Sequence, residues 1–269
     1  MTTKSPFSTP GPDVPAQRLS DHVWLVGTGE PGPAFTDVYD GHSYLIRAEG
    51  GTALLVDCGS GRGVEAWLRN VDEVCDRDAV LAVMLSHYHA DHAGGAASVR
   101  AVGFSVLGDP LTVSALAAAD EQITSLALAR GAGVYPSDYE LIRSDIGTAP
   151  DQLDVGDLRV LIEPTPGHCD GHLAFRLVVG DSSALFSGDC IFAGGRVSVQ
   201  AIHDCRLRTY ATTLEELAGR PTEQLFPGHG QAVLSAADTD IERAAAIFRS
   251  LRIPPNLLDS HPHEEVAGD

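Results

Sequence analysis

The stretch "SHYHADHAGG", residues 86–95, follows the apolar run "AVLAVMLS" at 79–86 and sets His87, His89, Asp91 and His92 within six positions. The apolar run reads as a strand buried on both faces. The four polar residues therefore fall where a strand ends. His87 and His89 are two apart, so in extended backbone they point the same way and can reach one metal ion. Asp91 and His92 come at a turn into a helix and can point to a second ion nearby. A lone histidine more often packs than ligates. Four imidazoles and carboxylates packed this closely read as a site for divalent metal.

Four more clusters repeat the arrangement of an apolar run with a ligand-type residue at its end. They are "LLVDCGSG" with Asp57, "EPTPGHCDGH" with His168 and His172, "ALFSGDCIF" with Asp189, and "QLFPGHG" with His229. Strand ends collect function because the scaffold fixes side chains that loops leave exposed.

With these residues in place the chain resembles the metallo-β-lactamase superfamily of metallohydrolases. His87, His89, Asp91 and His92 match its HxHxDH motif, and the later histidine, aspartate and histidine match His168, Asp189 and His229. The resemblance covers residues 20–235. It implies an α/β fold, an αββα sandwich of two mixed β-sheets flanked by helices, with the site at one edge of the sheets. It also implies two divalent ions, zinc by the His/Asp donor set, with iron or manganese as alternatives. His87, His89 and His168 would hold the first and Asp91, His92 and His229 the second, with Asp189 bridging them. Positions would stay open for a bridging hydroxide. Asp91 would also act catalytically by shuttling a proton to the leaving group. Asp57 and His172 are expected to orient ligands through hydrogen bonds. Tyr88, His203 in "AIHDC" and Tyr210 are candidate substrate contacts.

The 269 residues are 43% hydrophobic, enough for a sizeable core. Short β-rich runs at 22–27, 43–48 and 52–57 read as an antiparallel meander. Residues 60–70 read as a turn into a helix, 93–102 as a helix and "FSVLG" as a strand. Further strands are expected at 157–163, 172–179, 183–187 and 223–226, and helices at 207–218 and 238–252. Residues 1–18, polar and proline-rich, read as a loose arm and 256–269 as a polar tail. Between them lies one domain, 19–255, with an alanine- and leucine-rich helical insert around 110–150 that suits a lid.

The net charge of −19 repels phosphate backbones and anionic lipid, so nucleic acid and membrane are not expected partners. The expected partner is a small-molecule substrate, and a homodimer is compatible with the chain. No run approaches the roughly 20 apolar residues needed to span a bilayer. The N-terminus lacks a signal-peptide pattern, which reads as cytoplasmic. The five cysteines form no CxxC pair and read as free thiols. Cys169 and Cys190 follow ligands directly and are expected to face the core.

"DHAGG" and "PGHCDGH" resemble hydroxyacylglutathione hydrolases and acyl-homoserine-lactone lactonases, which implies a hydrolase of a small acyl ester, thioester or lactone. The "IFAGGRVSVQ" after Asp189 departs from glutathione-using relatives, and only about 40 residues follow His229. A mononuclear iron persulfide dioxygenase, using His87, His168 and Asp189, is a second reading. A β-lactamase-type amide hydrolase is a third, disfavoured by the missing export signal and by Asp189.

Overall fold

The computed structural model describes residues 15–260. A seven-stranded sheet runs in chain order: β1 (Gln17–Arg18), β2 (Val23–Gly27), β3 (Ser43–Arg47), β4 (Ala53–Val56), β5 (Val80–Met84), β6 (Val106–Gly108) and β7 (Gly147–Thr148). The first four pair antiparallel and the last three continue parallel. Parallel neighbours need crossovers, and helices supply them. These are α1 (Val64–Val74), α2 (Ala90–Ala93), α3 (Ala96–Ala101), α4 (Pro110–Ala118) and α5 (Leu126–Gly131). The second sheet is built from β8 (Gln152–Val155), β9 (Leu158–Pro164), β10 (Leu173–Val179), β11 (Ser182–Gly188) and β12 (Gln224–Pro227), in the order β12-β11-β10-β9-β8. Only β11 and β12 are parallel, and α6 (Leu207–Ala218) joins them. After β12 comes α7 (Asp238–Arg249).

The layers follow from alternation along each strand. In β4, Leu54 faces the second sheet and packs with Val160, Phe175 and Phe186, while Leu55 faces α1 and packs with Trp67 and Val71. Both faces of the strand are covered, so it is apolar throughout. On the far side, Leu185 and Leu225 pack against Leu214 of α6 and Ile241 of α7. The result is the αββα sandwich.

The structure redraws several boundaries. The arm expected over 1–18 is already part of the fold from Pro15: Gln17 and Arg18 pair with Leu25 and Trp24, and the Pro15 carbonyl accepts from the Ala34 N–H. The tail expected from 256 begins with Asn256 bridged to Val197 and the Leu257 N–H donating to the Val197 carbonyl. Residues 1–14 and 261–269, with the rest of that arm and tail, lie outside the described residues. The helix expected over 93–102 is broken at Gly94–Gly95. A side chain on Gly95 would strike the Cys58 carbonyl, so the pair lets the 57–61 loop close on the metal motif.

The helical insert is α4 and α5 followed by a loop into β7. Asp109 caps α4 by accepting from the Leu111 N–H, with Pro110 in the first turn. Leu116, Leu126, Tyr139 and Leu141 from this insert join the outer core. Among the described residues no helix is long and apolar enough to cross a membrane.

Candidate metal centre

β5 delivers the motif to the edge between the sheets. Asp57, at the end of β4, accepts hydrogen bonds from the Ser86 N–H (2.7 Å) and the Ser86 hydroxyl (2.8 Å). His87 and His89 then face inward, and α2 begins at Ala90 and carries Asp91 and His92. The β9–β10 turn brings His168, the end of β11 brings Asp189 and the end of β12 brings His229.

All seven expected ligands converge, although the chain runs from position 87 to position 229 between the first and the last of them. His87 Nε2 and His168 Nε2 each lie 3.0 Å from His89 Nδ1. His229 Nε2 lies 3.1 Å and His92 Nε2 3.5 Å from Asp91 Oδ2. Asp189 stands between the clusters. Its Oδ2 is 3.6 Å from His168 Nε2, and its Oδ1 is 3.3 Å from His92 Nε2 and 3.6 Å from His229 Nε2.

Outer partners set which nitrogen faces inward. His92 Nδ1 donates to Asp57 Oδ2 (2.9 Å) and His168 Nδ1 to the Ser198 carbonyl (2.9 Å). Because the Ser86 hydroxyl is given to Asp57, it accepts from His87 Nδ1 (3.0 Å). Each leaves its Nε2 lone pair for the centre. His172 Nε2 accepts the Asp189 N–H (3.1 Å), while its Nδ1 is bonded to the Thr165 hydroxyl (2.8 Å). Asp57 therefore reaches both clusters, and His172 fixes the backbone of the residue between them.

Burial pushes His87, His89 and His172 below the ordinary imidazole range, His89 to about 3, so they stay neutral with a lone pair free. Burial alone would raise Asp91 and Asp189. The imidazoles of His92 and His229 outweigh it and hold both carboxyls down. The same attraction overcomes burial at His92 and His229 and raises them. Asp91 and Asp189 are thus held ionised in a buried nest of histidines.

Three buried atoms of these residues have no hydrogen-bond partner: His89 Nε2, on a ring whose Nδ1 joins the first cluster, and His92 Nε2 and Asp189 Oδ1, which lie 3.3 Å apart. Unpaired buried polar atoms are costly, and a cation between the latter two would satisfy both. A Cβ on Gly228 would lie 2.7 Å from His92 Cε1 and collide with Asp189 Oδ1, so glycine keeps that space open. The residues fit divalent metal.

Beside the centre lies a cavity of about 320 Å³. His89, Asp91 and Asp189 form its polar floor, and the insert supplies much of its wall, including Leu126, Leu128 and Tyr135. Tyr135 stacks on Tyr139 (ring centroids 5.2 Å apart) and leans on Tyr39, with its hydroxyl beside Asp91. Sequence reasoning missed it, because nothing near position 135 marks it as close to residue 91.

Two of the three expected substrate contacts are corrected. Tyr88 is buried against Ala115 and Cys169, with its hydroxyl donated to Asp204. Tyr210 is buried beneath the floor, its hydroxyl accepting the Ser198 N–H and contacting the carbonyls of Asp189 and Cys190. Both brace the loops that carry ligands. His203 is half exposed, 3.5 Å from Asp204, and follows Ile202 of the cavity wall without lining the cavity itself. Cys169 and Cys190 face the core, and His22 and His42 bond backbone carbonyls. His261 and His263 lie outside the described residues.

Comparison with known proteins agrees with this architecture. The family model described as the metallo-beta-lactamase superfamily matches residues 36–229. A beta-lactamase-like protein 2 homolog of Caenorhabditis elegans is 27% identical over 81% of this chain and 65% of its own length. The thioesterase pkgB of Emericella nidulans is 29% identical over 74% of this chain and 48% of its own. A hydroxyacylglutathione hydrolase of Cupriavidus taiwanensis is 32% identical over 62% of this chain and 53% of its own. The chain thus spans about half to two thirds of the length of these relatives. Among solved structures, the MIM-2 metallo-beta-lactamase overlays with a TM-score of 0.63 at 20% identity, covering 89% of this chain and 90% of that one. The FEZ-1 enzyme of Legionella gormanii gives 0.65 at 16%, covering 91% and 97%.

Proposed function

This chain belongs to the metallo-β-lactamase superfamily, and from that premise we propose that it is a dinuclear metal-dependent hydrolase of a small acyl ester, thioester or lactone. The observation that carries the reading is Asp189, whose two carboxylate oxygens face one donor cluster each. Two clusters sharing one carboxylate suit two ions held side by side. His87, His89 and His168 would hold one, Asp91, His92 and His229 the other. Zinc is the ion the donor set favours. Bound there, such a pair lowers the pKa of a water towards neutrality and polarises a carbonyl oxygen.

The remaining work falls to the chain. Asp57, Ser86 and the Ser198 carbonyl keep three imidazoles in the tautomer that offers Nε2 inward. Asp91, partly open to the cavity, has the carboxylate placed to receive a proton and pass it to the departing oxygen or sulfur. The insert and Ile202 exclude water from one side of the scissile bond. The names of the thioesterase and hydroxyacylglutathione hydrolase relatives support the ester and thioester chemistry.

The test joins metal analysis to a panel of lactones, thioesters and aryl esters. Two metals per chain and turnover lost on exhaustive chelation are expected. His89→Ala and Asp189→Ala should each fall below about one-hundredth of wild-type kcat while keeping the far-ultraviolet circular dichroism of the parent. Near-normal rates in both variants would refute the assignment. A single iron with oxygen uptake would turn it towards the dioxygenase reading.

A further inference from the structure

The wall of the cavity carries chemistry that the metal centre does not require. Leu126, Leu128 and Ala129 come from α5, Val134 from the loop after it, Ile202 from the loop before α6, and Leu258 from the last described turn. Three of them remain open to solvent at the mouth: Leu128 and Val134 are each 58% exposed, and Leu258 44%. Large apolar side chains left open around a catalytic cavity mark a surface that an apolar ligand covers.

No lysine or arginine lines the cavity among the described residues. Two cations on the flanking elements are committed elsewhere. Arg130, the cation of α5, is paired with Glu121 and donates to the Tyr139 carbonyl (2.6 Å). Arg206, at the start of α6, holds Asp170 through two bonds of 2.6 and 2.7 Å. The chain as a whole carries −19. A substrate delivered on an anionic carrier would meet repulsion on approach and no basic side chain in the wall on arrival.

We propose that the insert-walled cavity takes an uncharged aliphatic acyl group and discriminates against substrates with an anionic carrier, such as glutathione or coenzyme A thioesters. This rests on the hydrolase reading only for the bond that is cut. The chemical class follows from the wall.

A matched series separates the two. S-Hexanoyl-N-acetylcysteamine, S-hexanoylglutathione and hexanoyl coenzyme A share one acyl group and one thioester bond, and only the first is uncharged. At low ionic strength its kcat/KM should exceed the other two by about tenfold or more. Lengthening its acyl chain from acetyl to hexanoyl should raise kcat/KM about threefold per methylene until the cavity is full. Leu128→Lys and Val134→Lys, both at exposed positions, should narrow the gap through KM of the anionic substrates, and Leu128→Gln should not. Equal or faster turnover of the glutathione or coenzyme A thioester by the wild type would overturn the inference and leave the hydrolase reading standing. Calorimetry with the uncleavable thioethers S-hexyl-N-acetylcysteamine and S-hexylglutathione gives an answer independent of turnover. Tighter binding of the uncharged thioether, with no thioester cut, would sustain the inference while the hydrolase reading fell. Equal or tighter binding of the glutathione conjugate would overturn it.

Discussion

Asp57 shows what a single residue does for the centre. Its φ of +61° lies in the left-handed region, which aspartate and asparagine enter more readily than other side chains. That turn aims its carboxylate at the Ser86 N–H and hydroxyl and at His92 Nδ1. Asparagine tolerates the same backbone but must offer an NH₂ to one of these donors. Asp57→Asn should therefore fold normally and lose about 10- to 100-fold in metal affinity. Competition titration with a chromophoric chelator checks it, and wild-type affinity in the variant would remove Asp57 from this role. Asp40 makes a second case away from the ligands. Burial, opposed by hydrogen bonds from Ser60 and Thr36, pushes its carboxyl from 3.8 up to about 6. The folded state then holds that proton more tightly than the unfolded chain. The stabilisation is full below pH 3.8 and lost as pH rises through 6. At pH 7 the buried charge costs about 3 kcal/mol. Asp40→Asn should gain stability relative to wild type at pH 7.5 more than at pH 4.5, in urea melts of metal-free protein. The same difference at both pH values would contradict this.

At the scale of elements, the insert is held by its tyrosines. Tyr139 donates to the Ser60 carbonyl (2.7 Å) and supports the Tyr135 ring, and Tyr39 closes the group from the other side. Through Ser60 this ties the insert to the loop that carries Asp57. Tyr139→Phe leaves a buried carbonyl unpaired and should cost about 1–3 kcal/mol. Tyr135→Phe keeps the stack and removes only the hydroxyl beside Asp91. It should change the melting temperature little and lower kcat about tenfold. Calorimetric melts and steady-state kinetics on the two variants separate the roles, and a destabilised Tyr135→Phe with unchanged kcat would reverse the assignment.

At the scale of the molecule, the candidate ligands come from the ends of β5, β11 and β12 and from the β9–β10 turn, so a bound metal would join one sheet to the other. Binding should stabilise the folded chain by about 2.7 kcal/mol at a hundredfold excess over Kd. The melting temperature should rise with added zinc and fall with chelator, and His168→Ala should flatten the response. A melting temperature indifferent to zinc would argue against a centre spanning both sheets. The sequence alone determined the long strands and α6, because runs such as 79–86 and 173–179 are apolar enough to signal burial without knowing their neighbours. It also marked the seven residues that converge at the candidate centre, because local spacing and strand-end position are properties of the chain itself. Strands β1, β7 and β8 were not legible: two to four residues, mostly exposed, are strands only because a partner is there to bond them. Tyr88 and Tyr210 were misplaced for the same reason, since a tyrosine's amphipathic side chain suits a cavity or a core equally well. Which of the two it meets, and that Tyr135 rather than either stands beside Asp91, was decided only when folding brought residues distant in the chain into contact.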